Sequence, residues 1–436
     1  MSHYDLIVVG AGPAGLEAAR SAAALGYSVA LLERRQHVSP LTRACSEGLL
    51  FDEHYMGDRI TIDRENRQLV FSAHDLRLPY SGPVRMVPRF MNVSPAGHRM
   101  TLVRDDAPGV HVVFDKAQFL EENLAAAQRA GATFLPGRTV TSLETAAESV
   151  TVGTADGTVS GRFLIAADGH NSLCARLAGF DRERTFYGTL SCACWHITGF
   201  EPPSPDHIHL VEGQGGPAII CLCPRCYEGE YNVMISRFDQ RRDFAFVLER
   251  IRHDSPVAPF FSGDFRILHR LGCVLNLFSP LRDPCSDNIF LAGDAAWMGQ
   301  TSNSHAALMG HLIVDTIHRA LEEGRQGDAI YAPYRQWWQT HVADAIKPPG
   351  ANLFEELEAH ELDDLLSRLP AEIPGSLEPR RAQQLVGAMF QQIMPQLQQD
   401  APELVARISA IMQTPSDEAW KEKRAAGCPV RTVVTA

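Results

Sequence analysis

Three glycines and one carboxylate near the start of the chain have the types and spacing of a phosphate and ribose site. Gly10, Gly12 and Gly15 lie in GAGPAG, after the apolar run YDLIVV and before the helix-prone stretch LEAARSAAALG, which stops at Gly26. Gly10 permits a tight turn, Gly12 lets backbone approach a pyrophosphate, and Gly15 lets the helix pack close to the strand. The helix start, with Pro13 and Ala14, offers unpaired N–H groups and the positive dipole end to phosphates. A second strand, SVALLE, ends on Glu33, which can accept from a ribose diol. A free 2′-hydroxyl is thereby favoured, as in FAD or NAD rather than NADP. RACSEGLL, residues 43–50, follows this unit. From residue types alone Cys45 is a reactive thiol facing a cofactor, a metal ligand, or filler in a turn.

Two later motifs carry similar chemistry. GRFLIAADGHNSLCAR, 161–176, is an apolar strand running into Asp168 and Gly169; NIFLAGDAA, 288–296, runs into Gly293 and Asp294. An aspartate at a strand end can accept from a ribityl chain, and the helix after it would stabilise negative charge on a flavin pyrimidine. With GxGxxG, DG and GD in order, the chain resembles flavoproteins of the p-hydroxybenzoate-hydroxylase structural class over residues 4 to about 320. That resemblance implies FAD. VVFDKAQFLEENLAAAQRAGATF, 112–134, is similar to the class's "D-R, helix, A-G-A, strand" segment, with Lys116 at the arginine's place. The FAD contacts it implies also include Arg34, Arg43, Cys45 and Val140. The loop after Asp294 departs from the class: Thr301 replaces a proline, and Ser304 and Ala306 replace glycines around His305. Those side chains keep the backbone further from the flavin or in a conformation that avoids positive φ. His305 is either a proton donor or hydrogen-bond partner at the flavin edge, or a solvent-facing histidine at a helix start.

Cys45, Gly48 and Leu49 match the register of the "C-G-G-G-L" segment in the geranylgeranyl reductase branch of this class, with Glu47 at a glycine's place. That branch's "Y-G-W-x-F-P" strand is absent; AIICLCPRCYEGEYNVMIS, 218–236, stands in the corresponding region. A halogenase's W-x-W-x-I-P segment is also absent. The resemblance implies reduction of a C=C bond in an apolar, isoprenoid-like molecule by hydride from reduced flavin, with Cys45 and His305 as candidate catalytic groups. The alternative is a flavin monooxygenase acting on an aromatic or natural-product substrate. A non-enzymatic FAD-binding protein is the reading from another class.

These residues need scaffolds. The implied fold class is α/β: a Rossmann-type FAD-binding domain assembled from residues 1–50, 110–180 and 280–340, and an antiparallel-sheet substrate domain from 51–109 and 185–275. LFEELEAHELDDLLSRL and AQQLVGAMFQQIMPQLQ have helical spacing, so 345–436 reads as a helical C-terminal region that caps or packs. Length, at 436 residues, suits two or three domains. A net charge of −12 without a dense Lys/Arg run argues against nucleic acid as partner. The chain has no continuous apolar run of about 18 residues to span a membrane. Ten cysteines in a chain without an export signal read as thiols, and the protein as cytoplasmic. Cys192, Cys194, Cys221, Cys223 and Cys226 are read as core or pocket filler, without the paired knuckles of a metal site. No second nicotinamide unit is legible, so electrons would come from NAD(P)H bound in a groove or from a separate reductase or ferredoxin. Transient contact with a membrane surface and homo-oligomers are both compatible with the sequence.

Overall fold

The run LIVV lacks polar alternation because both faces of its strand are covered. The computed structural model describes residues 3–49, 55–104, 111–211, 218–237, 241–297, 302–343, 356–375 and 379–413. In it, strand His3–Val9 pairs in parallel with Val29–Glu33 on one side and Gly157–Ala166 on the other. Thr133–Pro136 continues the sheet beyond Val29–Glu33, and Ile289–Leu291 pairs in parallel with the end of Gly157–Ala166. Helix Pro13–Ala24 packs between helices Lys116–Ala130 and Asn303–Glu322. Its chain then turns through Gly26 at φ 88°, a left-handed position that suits glycine at a helix end. The sheet is the doubly covered α/β layer expected from the sequence. A hairpin, Val140–Ala146 with Ser149–Thr154, extends it in antiparallel fashion.

A second sheet has the order Phe261–Phe278, Phe186–Phe200, Tyr231–Arg237, Ala218–Pro224, His207–Val211, Arg89–Val93, Arg99–Val103 and Glu372–Pro374. Seven of its eight strands lie in 51–109 and 185–275, one of them running on to Phe278, and most pairings are antiparallel. Between the two sheets a small ribbon joins Gly48–Leu49, His111–Phe114 and Val84–Val87.

Two segments lie elsewhere than the expected boundaries. Ile60–Asp63, Gln68–Phe71 and Leu76–Pro79 form their own meander. It buries Ile60, Leu69, Phe71, Leu76 and Leu78 in the same core as Leu6 and Leu31 of the nucleotide-side sheet and pairs with no strand of the substrate sheet. Alternation marks a half-buried strand but not which layer covers it. Glu372–Pro374, inside the stretch read as helical, pairs in parallel with Arg99–Val103; three residues are too few to show a period. The C-terminal helices Ala359–Arg368, Pro379–Asp400 and Pro402–Gln413 bury Leu362, Leu365, Leu397 and Ile408 with Met100 and Ile373. They buttress the edge of the substrate sheet. Among the described residues, no helix is long and apolar enough to cross a membrane.

Candidate active site

The glycines do three different jobs, and their surroundings separate them. A Cβ on Gly10, whose φ is 101°, would lie 2.3 Å from the carbonyl oxygen of Ala167. A Cβ on Gly15 would lie 1.9 Å from the carbonyl oxygen of Gly10. Both glycines are therefore forced by close packing of strand, turn and helix. A Cβ on Gly12 would meet nothing within 4 Å. Gly12 caps helix Pro13–Ala24 without a side-chain bond, and no acidic residue stands in the first turn. The helix thus presents unpartnered N–H groups to an open space, a cradle for an anion. Gly12, Pro13 and Ala14 line a cavity of about 570 Å³ running from this turn to the substrate sheet.

Arg43, Cys45, Lys116, Gly293, Asp294 and Ala306 line that cavity too. Arg43 Nη2 donates to Asp294 Oδ2 at 2.7 Å, so the two groups predicted for the cofactor already hold each other. Glu33, Arg34 and Val140 are not among the lining residues. Glu33 is buried beneath the glycine turn: one oxygen accepts from the Ala11 N–H at 2.8 Å, the other from the Arg35 N–H at 3.0 Å. The second oxygen also accepts from Arg35 Nε at 3.2 Å, so it is the oxygen bonded to Ala11 that keeps a lone pair for a ribose hydroxyl. Arg34 is exposed, and Val140 is buried at the start of its strand. Asp168 accepts from Ser172 Oγ at 2.5 Å and from the N–H groups of Leu173 and Cys174, which engages its carboxylate with a short helix. Its neighbour Gly169, at φ 87°, lines the cavity instead.

Cys45 is held from three sides. Its sulfur accepts from the Glu47 N–H at 3.3 Å, from Lys116 Nζ at 3.5 Å and from Asn303 Nδ2 at 3.8 Å. Its carbonyl accepts from Asn232 Nδ2 at 2.8 Å, which reaches across from the substrate sheet. Glu47 does not point into the cavity. Its carboxylate accepts from Arg225 Nε at 3.0 Å, and Arg225 also pairs with Glu230. Burial raises the Glu47 carboxyl above the usual range, and Arg225 pulls it back. His196 Nε2 lies 3.4 Å from the same carboxylate without hydrogen-bond geometry. Burial first, then Arg225 and His269, hold that imidazole down at about 3, so it is neutral and the contact is not an ion pair. Glu47 has φ 52°, a left-handed backbone that a glycine would take without strain.

Ser304 and Ala306 need no glycine because helix Asn303–Glu322 has already begun, and neither has a positive φ. Thr301 lies outside the described residues. Ser302 caps this helix, and its hydroxyl lies 2.7 Å from His305 Nδ1 and 2.7 Å from Ser304 Oγ. His305 is 1% exposed rather than solvent-facing, and it is not among the lining residues. Burial pushes its imidazole down to about 3. Ser302, Asn303 and Ala306 present the helix start to the cavity, with the favourable dipole end toward it.

The opposite wall is apolar and comes from the substrate sheet: Leu190, Ile219, Met234 and Leu275. Strand Tyr231–Arg237 separates Cys192 and Cys194 from Cys221 and Cys223, so these four thiols do not converge. Sequence reasoning missed Asn232, Asn303 and His111, which also lines the cavity. Only Asn303, a few residues after the GD motif, carried a local signal.

A family model described as "FAD binding domain" matches residues 3–303. Digeranylgeranylglycerophospholipid reductase 2 of Methanosphaera stadtmanae is 26% identical over 312 residues, covering 68% of this chain and 72% of its own. Digeranylgeranylglycerophospholipid reductase 1 of Methanococcoides burtonii is 29% identical over 358 residues, covering 79% and 81%. The crystal structure of a geranylgeranyl bacteriochlorophyll reductase-like protein from Thermoplasma acidophilum has a TM-score of 0.67 at 19% identity, covering 94% of this chain and all of its own. p-Nitrophenol 4-monooxygenase of Pseudomonas putida has a TM-score of 0.58 at 16% identity, covering 84% and 93%. At these identities the two superpositions speak for the fold.

Proposed function

This chain belongs to the FAD-binding-domain family, and we propose that this FAD-dependent oxidoreductase reduces C=C bonds of an apolar, isoprenoid-like lipid. The observation that carries the reading is the placing of Cys45: its sulfur, gripped by Lys116 and Asn303, faces an apolar sheet wall across one cavity. The reductase names of the two relatives above support it.

The residues present fit FAD. The open cradle at Gly12 and the free first turn of helix Pro13–Ala24 take the pyrophosphate. Glu33 and Asp294 accept from hydroxyls, and Arg43 turns from Asp294 toward phosphate or flavin. When bound and reduced, FAD would supply the hydride for one alkene carbon. Leu190, Ile219, Met234 and Leu275 hold the prenyl chain and exclude water. Cys45 Sγ carries the proton for the second carbon, and the Lys116 ammonium at 3.5 Å returns it. His305, buried and neutral, sets the start of helix Asn303–Glu322 through Ser302 and delivers no proton. Electrons come from NAD(P)H or from a separate reductase or ferredoxin.

The test uses dithionite-reduced, FAD-loaded protein and a lipid bearing geranylgeranyl chains, followed by mass spectrometry. The wild type should add hydrogen at the double bonds. Cys45→Ser should keep FAD but turn over about 100-fold more slowly. Retained FAD with an unreduced prenyl lipid, and oxygen inserted into an aromatic compound instead, would move the assignment to the monooxygenases.

A further inference from the structure

Cys192 and Cys273 stand directly opposite each other on the neighbouring antiparallel strands Phe186–Phe200 and Phe261–Phe278. Residues opposed in this way have Cα atoms about 4.5–5.5 Å apart, within the span of a disulfide. Both cysteines line the cofactor cavity, and neither is used by the chemistry above. The Ser236 hydroxyl donates to Cys192 Sγ at 3.3 Å. The Cys192 side chain opposite it, with the Arg43 guanidinium nearby, holds the Cys273 thiol below the usual range. Cys273, together with burial, drives Cys192 upward. One sulfur is primed to attack while its partner keeps a proton, an asymmetry that suits a nucleophilic and a resolving cysteine. The next thiol along the strand, Cys194, is opposite Leu271 and fully buried, so the pairing is specific.

We propose that Cys192 and Cys273 form a redox-active dithiol on the wall of the cofactor cavity, exchanging two electrons with a small disulfide carrier. The Cys273 sulfur attacks one sulfur of the carrier, the carrier S–S bond breaks, and one carrier thiol leaves. The Cys192 sulfur then displaces the second carrier thiol and passes its proton to it. Two protein thiols are oxidised to one disulfide, and one carrier disulfide is reduced to two thiols. The reverse exchange with carrier thiols restores the dithiol. The pair would store two electrons beside the flavin. That purpose rests on the FAD reading above, whereas the exchange itself does not.

The experiment holds the full chain, with and without FAD, at a series of ratios of reduced to oxidised glutathione, blocks free thiols with iodoacetamide and maps the peptides. A linked Cys192–Cys273 peptide should appear as the buffer becomes oxidising, in both forms, while Cys45 remains alkylated. Anaerobic dithionite titration of the oxidised FAD-loaded protein should consume about four electrons per flavin, and Cys273→Ser about two. Cys192 and Cys273 alkylated singly at every ratio, or joined to other cysteines, would overturn the proposal. Consumption of about two electrons by the oxidised wild type would do the same. If the protein fails to take up FAD, peptide mapping of the FAD-free chain still decides, so the two readings fail separately.

Discussion

Glu47 shows how one residue can defy its local rule and be repaid from far along the chain. Its φ of 52° puts a side-chain-bearing residue in a region that costs about 1 kcal/mol. Arg225, 178 positions away, takes up its carboxylate and locks the loop that carries Cys45 to the substrate sheet. The sequence shows the oddity, a charged residue at a glycine's usual place, but not the partner, because nothing local links 47 to 225. Arg225→Ala would leave a buried carboxylate unpaired and should cost about 3 kcal/mol in urea unfolding. Glu47→Gly removes both the charge and the backbone strain. The double variant should therefore recover about 2 kcal/mol of that loss. Urea midpoints that are equal for Arg225→Ala and the double variant would show that Glu47 is not what Arg225 stabilises.

At the scale of elements, the strand–turn–helix unit was legible because its signals are neighbours in sequence, whereas its crossing with the helix expected after Asp294 was not. Helices Pro13–Ala24 and Asn303–Glu322 touch at Gly310, where a Cβ would lie 2.1 Å from the carbonyl oxygen of Ala14. The helical pattern of LMGHL says nothing of that crossing. Gly310→Ala must push the helices apart, at about 1–3 kcal/mol, and tilt the turn that cradles the pyrophosphate. Gly12→Ala is its counterpart. Gly12 has φ −83°, which alanine accepts, and its Cβ would meet no protein atom within 4 Å. Calorimetry and FAD titration should separate the two. FAD-free Gly12→Ala should melt like the wild type yet bind FAD at least about tenfold more weakly, because the methyl occupies the phosphate's space. Gly310→Ala should lose both stability and affinity. Unchanged FAD affinity in Gly12→Ala would place the pyrophosphate elsewhere.

At the scale of the molecule, what the sequence hides is the order of strands in the second sheet and the histidines that its packing traps. His111, His170 and His209 are pushed down to about 4, and His196 and His305 to about 3, in every case chiefly by burial. They come from the second sheet, the turn that follows strand Gly157–Ala166, the ribbon between the sheets and the bracing helix, so they report on widely separated parts of the fold. Each binds a proton in the unfolded chain near its ordinary value of 6.5 but not in the folded protein until the pH is far lower. The unfolded state therefore binds more protons between these limits. Stability is complete above about pH 6.5 and falls as the pH drops toward 4, each histidine adding up to about 1.4 kcal/mol per pH unit. Glu47, raised by burial, works the other way, but it is one group against five. Urea midpoints taken from pH 7.5 down to 4.5 should fall steeply below pH 6.5. His305→Asn should flatten the slope by about one proton, since the asparagine can hydrogen-bond but not titrate. A midpoint that stays level through this range would mean that these imidazoles protonate without unfolding, through openings of the sheets that the packed structure does not contain.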